Sequence, residues 1–405
     1  MRYIISFLFF LLSLGTFGQT RAIKEAKGLL KSNKLSDAEK AIDKILQNEE
    51  TKNNPTAWDI AGQIQLKTHD VENQKAYLRK PYDTLLLNSS VLKMTKYFIH
   101  CDSLSQIPDA KGRIKNKFRK DNAQSISNEM NHLINGGYHF MSSEKADDKR
   151  TALDYFDTYI KAVYHPMLEK IHDTEKDTMI PHVAYYACVT ALKINDYKKV
   201  SEFGKYALNS PTYAQSARQL LTMSYLEQGD SINYLSSLEE GVQKYPNDRF
   251  FFANLLDYYI KRDRIEDAMT AVDDIIANNP NNSYCLYVKG FLYQNQQDYD
   301  NAIEMYHKAI ALDSQNAEAY SGLGLVYCIL AQDYSIKAST NVNSPEYERD
   351  QQILRDYYQQ AKDPYEKARE LRPEQKELWL NGLYRVYFNL HLGDQFSEIE
   401  TLLKQ

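Results

Sequence analysis

Tyr225, Tyr259, Tyr293 and Tyr327 recur every 34 residues. A fixed period of this length restricts a chain to repeat architectures, in which one small unit is stacked on copies of itself. Other positions keep the same register. One small-residue slot holds Ala268 and Ala302, with Val200 and Tyr234 as looser occupants, and a second runs Ala207, Gly241, Ile275, Ala309. Pro246 and Pro280 end two successive units. In "FLYQNQQDYDNAIEMYHKAIALD" (291–313), Ala302, Tyr306 and Ala309 fall at steps of four and three, which is one face of a helix. The polar stretch from Gln294 to Asp298 leaves room only for a tight connection, so each unit reads as two antiparallel helices. Such a hairpin has an apolar face that only neighbouring hairpins can cover.

The order of a Leu-Gly pair, a Tyr, an Ala, an aromatic, an Ala and a Pro resembles the tetratricopeptide repeat family. "SGLGLVY" (321–327) and "VKGFLYQNQQDYDNAIEMYHKAIALD" (288–313) carry the resemblance best. Hairpins start near 181, 215, 249, 283 and 317, and the match is strong over 181–335 and again over 355–380. The resemblance implies an all-α fold, a right-handed superhelical solenoid of about eight hairpins, with an extended helical arm in the next-to-last repeat. It makes Gly290, Ala302 and Ala309 points of close helix approach, with Tyr293 and Tyr306 filling the gaps. These are fold residues.

The chain opens differently. Arg2 precedes an apolar run from Tyr3 to Phe17, with Thr16 and Gly18 as small residues at cleavage positions. The run is short for a membrane span of about twenty residues and reads as a secretory signal peptide cut near Gly18–Gln19. The alternative is an uncleaved N-terminal anchor. No later apolar stretch is long enough to span, so the expected product is exported, periplasmic or envelope-associated, with no transmembrane segment after cleavage. Cys101, Cys188, Cys285 and Cys328 include no C-x-x-C pair, and Cys285 and Cys328 fall nine residues out of register. That offset is about 13 Å along parallel helices, beyond disulfide reach, so free and mostly buried thiols are expected. The formal net charge of -5 gives no case for nucleic acid.

The expected organisation is a signal peptide over 1–18, degenerate hairpins over 19–120 and an irregular hairpin with connector over 121–180. A regular array follows over 181–335, then an inserted helical arm over 336–360 and a half-repeat with cap over 361–405. Ser36 and Glu39 suggest a capping box. Pro81 puts a helix through "AYLRKPYDTLLL" in doubt. Six basic residues between Lys111 and Lys120 read as a solvated loop or helix start rather than a phosphate patch. The arm comes from a slip in period: Ala361, the small-residue match, arrives 25 residues late, after "STNVNSP". Ser344-Pro345 should start its returning helix, which Pro364 should bend, and the arm resembles an insertion in envelope tetratricopeptide proteins of Gram-negative bacteria.

Catalytic motifs are missing from the sequence: no phosphate-binding glycine loop, nucleophile elbow or H-E-x-x-H. His132 and His139 could share a helix face but lack a closer ligand pair, and Gly136-Gly137 weakens that helix. The "HDTEKD" run (172–177) reads as a solvated loop. No metal, cofactor or catalytic residue is expected. In the family the first helix of each hairpin lines a groove, at roughly the second, fifth, ninth and twelfth positions. The groove candidates are Tyr185, Val189, Met223, Leu226, Phe250, Ile260, Tyr284, Tyr287, Phe291 and Leu325. The family's carboxylate clamp uses Lys, Asn and Arg at the fifth and ninth positions; here those are Tyr185, Gln219, Ala253, Tyr287, Ser321 and Val189, Met223, Asp257, Phe291, Leu325. The groove is instead apolar and aromatic, which suits a peptide or helix of another protein. The other reading is that these aromatics pack on one another. The leading expectation is a non-enzymatic protein-binding scaffold; the alternative is a glycan- or peptidoglycan-associated protein using exposed tyrosines.

Overall fold

The computed structural model describes residues 21–49, 51–109, 111–246 and 248–404. The expected signal peptide lies outside them. The described residues are helices joined by turns, with no strand among them. Two compact units are present, one ending at Gly241 and the other running Val242–Gln405.

The first unit begins with the pair α1 (21–31) and α2 (Leu35–Gln47), then the long pair α3 (Pro55–Tyr77) and α4 (Thr84–Ser105). A single helix, α5 (Arg119–Glu129), leads into α6 (Asn131–Met141), which pairs with α7 (Ala146–Val163). The pairs α8 (Met179–Leu192) with α9 (Tyr197–Ala207) and α10 (Ala214–Glu227) with α11 (Ser231–Lys244) follow, and the division between units falls inside α11. The second unit contains α12 (Arg249–Ile260) with α13 (Ile265–Asn278), α14 (Ser283–Asn295) with α15 (Tyr299–Leu312), and α16 (Ala317–Ser335) with α17 (Pro345–Leu371). A 3-10 turn at Lys376–Leu378 precedes α18 (Leu380–Asn389) and α19 (Gly393–Leu403). The fold is thus all-α and built of helix hairpins.

The period has a backbone cause. Asn195, Gly229, Asp263 and Gln297, each 34 residues from the last, hold left-handed φ values of 57°, 69°, 56° and 61°. Each ends a first helix. The residue after each donates its N–H back to the carbonyl five residues earlier, on Ala191, Tyr225, Tyr259 and Tyr293, at 2.9–3.0 Å. This is the Schellman closure, which satisfies the helix's orphan carbonyls and reverses the chain within a few residues. Three of the periodic tyrosines therefore mark the last turns of their helices. The residue that donates also starts the next helix: Asp196, Asp230 and Asp298 accept from the N–H groups of Lys199, Asn233 and Asn301. First helices are capped in the same register by Asp248, Asn282 and Asn316, so α12, α14 and α16 begin at the expected 249, 283 and 317.

Close approach between helices is built around rings set on glycines. Tyr306 of α15 is fully buried between Gly290 of its own hairpin and Gly322 of the next, where a Cβ would come within 2.8 Å and 2.5 Å of the ring. Tyr365 of α17 repeats the arrangement between Gly324 and Gly382. Ala302 and Ala309, at the two small slots, are fully buried.

Several local expectations differ from the structure. α2 starts at Leu35, ahead of Ser36, and Lys34 caps it without a side-chain bond, so no capping box forms; Glu39 instead accepts from Gln65 and Lys93. The doubt over a helix through Pro81 is met: the chain reverses around Arg79 (φ 55°) and Pro81 lies in the connection between α3 and α4. Gly136 and Gly137 stay inside α6, and a Cβ on either would lie 2.3 Å and 2.2 Å from the rings of Tyr155 and Phe156. The helix entropy lost to two glycines is offset by ring packing that no larger residue would permit.

The slip in period has a visible origin. Ala331 stands where Asn195, Gly229, Asp263 and Gln297 made their left-handed turns. It is fully buried and helical, so α16 runs on to Ser335. Ser344 caps α17 by accepting from Tyr347 N–H, with Pro345 in the first turn, and α17 continues through Pro364. Asp350 ties the connection down, accepting from Ser339 N–H and the Tyr334 hydroxyl, each at 2.8 Å. All four cysteines are buried free thiols.

Candidate functional site

The ten groove candidates sort by register position. In the first unit α8 and α10 pack together. Tyr185, at a fifth position, is half-buried and stacks on Tyr213 with centroids 4.2 Å apart and planes 1° from parallel. Val189 is half-buried. Met223 and Leu226 on α10 point outward, 41% and 52% exposed. In the second unit Phe250, Ile260, Tyr284 and Tyr287 are half-buried. Phe250 meets Phe251 edge-on, and the Arg249 guanidinium lies 4.6 Å over the Tyr284 ring. Tyr287 packs against the cluster around Tyr306, and burial pushes its hydroxyl up to about 12. Phe291 on α14 and Leu325 on α16 are 36% and 38% exposed.

The fifth-position row is therefore largely occupied by contacts within the protein, Ser321 included, whose hydroxyl donates to Leu378 O. The ninth-position row is more open. Val189 at its start is half-buried, whereas Met223 in the first unit and Asp257, Phe291 and Leu325 in the second are exposed, Asp257 paired to Lys261 at 2.8 Å. Both rows satisfy a helical spacing in the sequence. Only the neighbouring helices decide which one is covered.

The polar runs resolve into local structure. Asp109 accepts from Arg113 at 3.0 Å and sits 3.8 Å from Lys115, while Arg119 approaches Asp102, so the basic run is partly neutralised by its own flanks. In "HDTEKD", Asp177 accepts from Tyr159 and contacts His172, both at 2.8 Å, fixing the connector ahead of α8.

One group of side chains was not brought together by sequence spacing. His69 of α3, Glu129 at the end of α5 and His132 at the start of α6 have ligand atoms all within 4.8 Å of one another. His139, the partner considered from the sequence, is exposed and outside the group. Glu129 Oε2 lies 3.1 Å from His69 Nε2 and 4.0 Å from His132 Nε2. His69 Nδ1 is 3.1 Å from Leu87 O, and His132 Nδ1 is 3.1 Å from Asn88 Oδ1. Burial works against charge on His69, but its bonds to Glu129 and Leu87 prevail and raise its pKa. The bond from His69 holds Glu129 below the usual carboxylate range, and burial, helped by His69, lowers His132. The E-x-x-H spacing of Glu129 and His132 was visible in the sequence; the arrival of His69 from 60 residues away was not.

Comparison with known proteins agrees with the hairpin geometry. Residues 290–328 match the family model described as TPR repeat. The match runs from α14 through α15 into the first helix after that hairpin, and the turns and caps on either side keep the same 34-residue register. No curated protein matches the sequence. Similar solved structures include a TPR repeats protein from Bacteroides fragilis NCTC 9343, at 18% identity, with 67% of this chain and 98% of that one covered and a TM-score of 0.32. A tetratricopeptide repeat protein from Parabacteroides merdae ATCC 43184 matches at 15% identity, with 56% and 80% covered and a TM-score of 0.39. YrrB, described as a TPR protein with an unusual peptide-binding site, matches at 16% identity, with 50% and 96% covered and a TM-score of 0.31.

Proposed function

We propose that this protein is a non-enzymatic scaffold of the periplasm or cell envelope, binding an apolar-faced segment of another protein along its first helices. The observation that carries this reading is the outward ninth-position row. Phe291 and Leu325 sit at the same register on successive first helices of the second unit and stay more than a third exposed. In the first unit, taken by itself, Met223 holds the same register position on α10 and is 41% exposed. Repeated exposure of large apolar side chains at one register position is a docking feature rather than scattered surface hydrophobicity. Export rests on the sequence alone, through Arg2, the apolar run to Phe17 and Gly18.

A second reading has its own observation. A cleft of about 370 Å³ in the second unit is lined by Arg249, Asn279, Asn282, Tyr284 and Asp313, the mixture of ring and polar groups that a sugar would use. The two readings separate by experiment. For the scaffold, Phe291→Ala should weaken capture of a crosslinked envelope partner by about 1–3 kcal/mol while the melting curve stays in place. Tyr287→Ala, at a packed position, should instead lower the melting temperature. Unchanged capture by Phe291→Ala and Leu325→Ala, together with saturable binding of peptidoglycan fragments that Tyr284→Ala abolishes, would replace the scaffold by the glycan reading.

A further inference from the structure

The His69, Glu129 and His132 cluster poses a hydrogen-bonding problem. Leu87 O can only accept, so His69 Nδ1 must carry the ring proton facing it. His69 Nε2 then turns towards the Glu129 carboxylate, which is also an acceptor. His132 repeats the pattern: Nδ1 faces Asn88 Oδ1 and Nε2 faces Glu129. Two imidazole nitrogens and one carboxylate oxygen thus converge, and with His69 Nδ1 committed to Leu87 O a cation between His69 Nε2 and the carboxylate joins them. That cation is either a proton on His69 or a metal.

We propose that His69 Nε2, Glu129 and His132 Nε2 form a binding site for a single divalent first-row transition metal ion of the zinc class. The donor set of two imidazoles and one carboxylate suits such an ion. Ligands about 2.0–2.2 Å from a tetrahedral ion stand about 3.3–3.6 Å apart; the separations from Glu129 are 3.1 and 4.0 Å and all three ligand atoms lie within 4.8 Å, so the two rings would draw in on binding. The outer contacts are those that metal-bound histidines use, a backbone carbonyl and a side-chain amide oxygen fixing each ring's tautomer and orientation. Access is graded: the His69 side chain is fully buried, whereas those of Glu129 and His132 are 23% and 21% exposed. This leaves a fourth position on the solvent side for water. The ion would tie α3 to the α5–α6 junction, where the chain leaves the long α3–α4 hairpin and starts the next. Binding exchanges the ring proton at His69 Nε2 for the metal, and that proton leaves to solvent.

The test uses the full chain stripped with chelator and then titrated with Zn²⁺ alone. One ion per chain is expected. His132→Asn and Glu129→Gln should each weaken binding by at least about 10-fold, while His139→Asn leaves it unchanged. Absence of saturable binding, or an affinity in the two ligand variants unchanged from that of the unmodified chain, would overturn the site and leave His69 with its proton. If either variant loses its helical signal, Co²⁺ added to the unmodified chain decides. Intense visible bands of a four- or five-coordinate ion support the site, and the weak spectrum of the hydrated ion refutes it.

Discussion

Gly322→Ala is expected to destabilise a helix that alanine should otherwise favour. A Cβ at Gly322 would lie 2.5 Å from Tyr306 Cζ and 2.8 Å from its hydroxyl oxygen. The ring has no exit. It is fully buried, Gly290 packs against it, and its hydroxyl donates to Gln294 Oε1 at 2.9 Å. Alanine gains about 1 kcal/mol over glycine inside a helix. Forcing extra volume into a packed core costs about 1–3 kcal/mol. An approach this far inside van der Waals contact, onto a ring held from both sides, belongs near the top of that range, so a net loss of about 1–2 kcal/mol is expected. Gly28→Ala supplies the opposite sign. Gly28 is an exposed helical position with nothing within 4 Å of a new Cβ, so the same substitution should stabilise by up to about 1 kcal/mol. Adding Tyr306→Leu to Gly322→Ala removes the clash, so the double variant should lose less than the sum of the singles. Urea denaturation followed by circular dichroism reads all four chains. An unchanged or raised midpoint for Gly322→Ala would refute the clamped-ring account.

The thiols should be inert in the folded chain, because burial pushes Cys101, Cys188 and Cys285 up to about 12 and Cys328 up to about 11, from an ordinary 9.0. Above pH 9 the unfolded chain releases those protons and the folded chain keeps them, so stability falls as pH rises from 9 towards 11; rapid native labelling at pH 8 would contradict this. Gln297→Gly should raise stability by about 0.5–1 kcal/mol, since Gln297 holds φ 61° in a turn that glycine adopts without strain, and a lowered urea midpoint would count against the turn's role. N-terminal sequencing of the exported protein should begin at Gln19, and an intact Met1 would remove the export proposal.

Much of the fold was legible in the sequence. The tyrosine period and the small slots gave the hairpins and their starts. The left-handed turn residues carried the same 34-residue period, and Ala331 in their register already marked where α16 would fail to stop. An alanine resists φ > 0, whereas Asn and Asp tolerate it and Gly adopts it freely, so Ala331 favours the longer helix; Gln297 takes the turn against the same penalty, so burial of Ala331 also counts.

The sequence by itself determined the repeat: where helices start, turn and restart. Those choices depend on caps and backbone angles within a few residues, and the period copies them along the chain. The tertiary structure alone decided which face of a first helix is covered. Tyr287 and Phe291 lie four residues apart on one helix with the same apolar character, yet one packs against Tyr306 and its cluster while the other stays open. It alone also decided that Gly136 and Gly137 serve as beds for two rings, and that His69 meets Glu129 and His132. Each of these depends on distances between helices. Such distances are set by how whole side chains interlock across segments tens of residues apart, and no spacing within one segment encodes them.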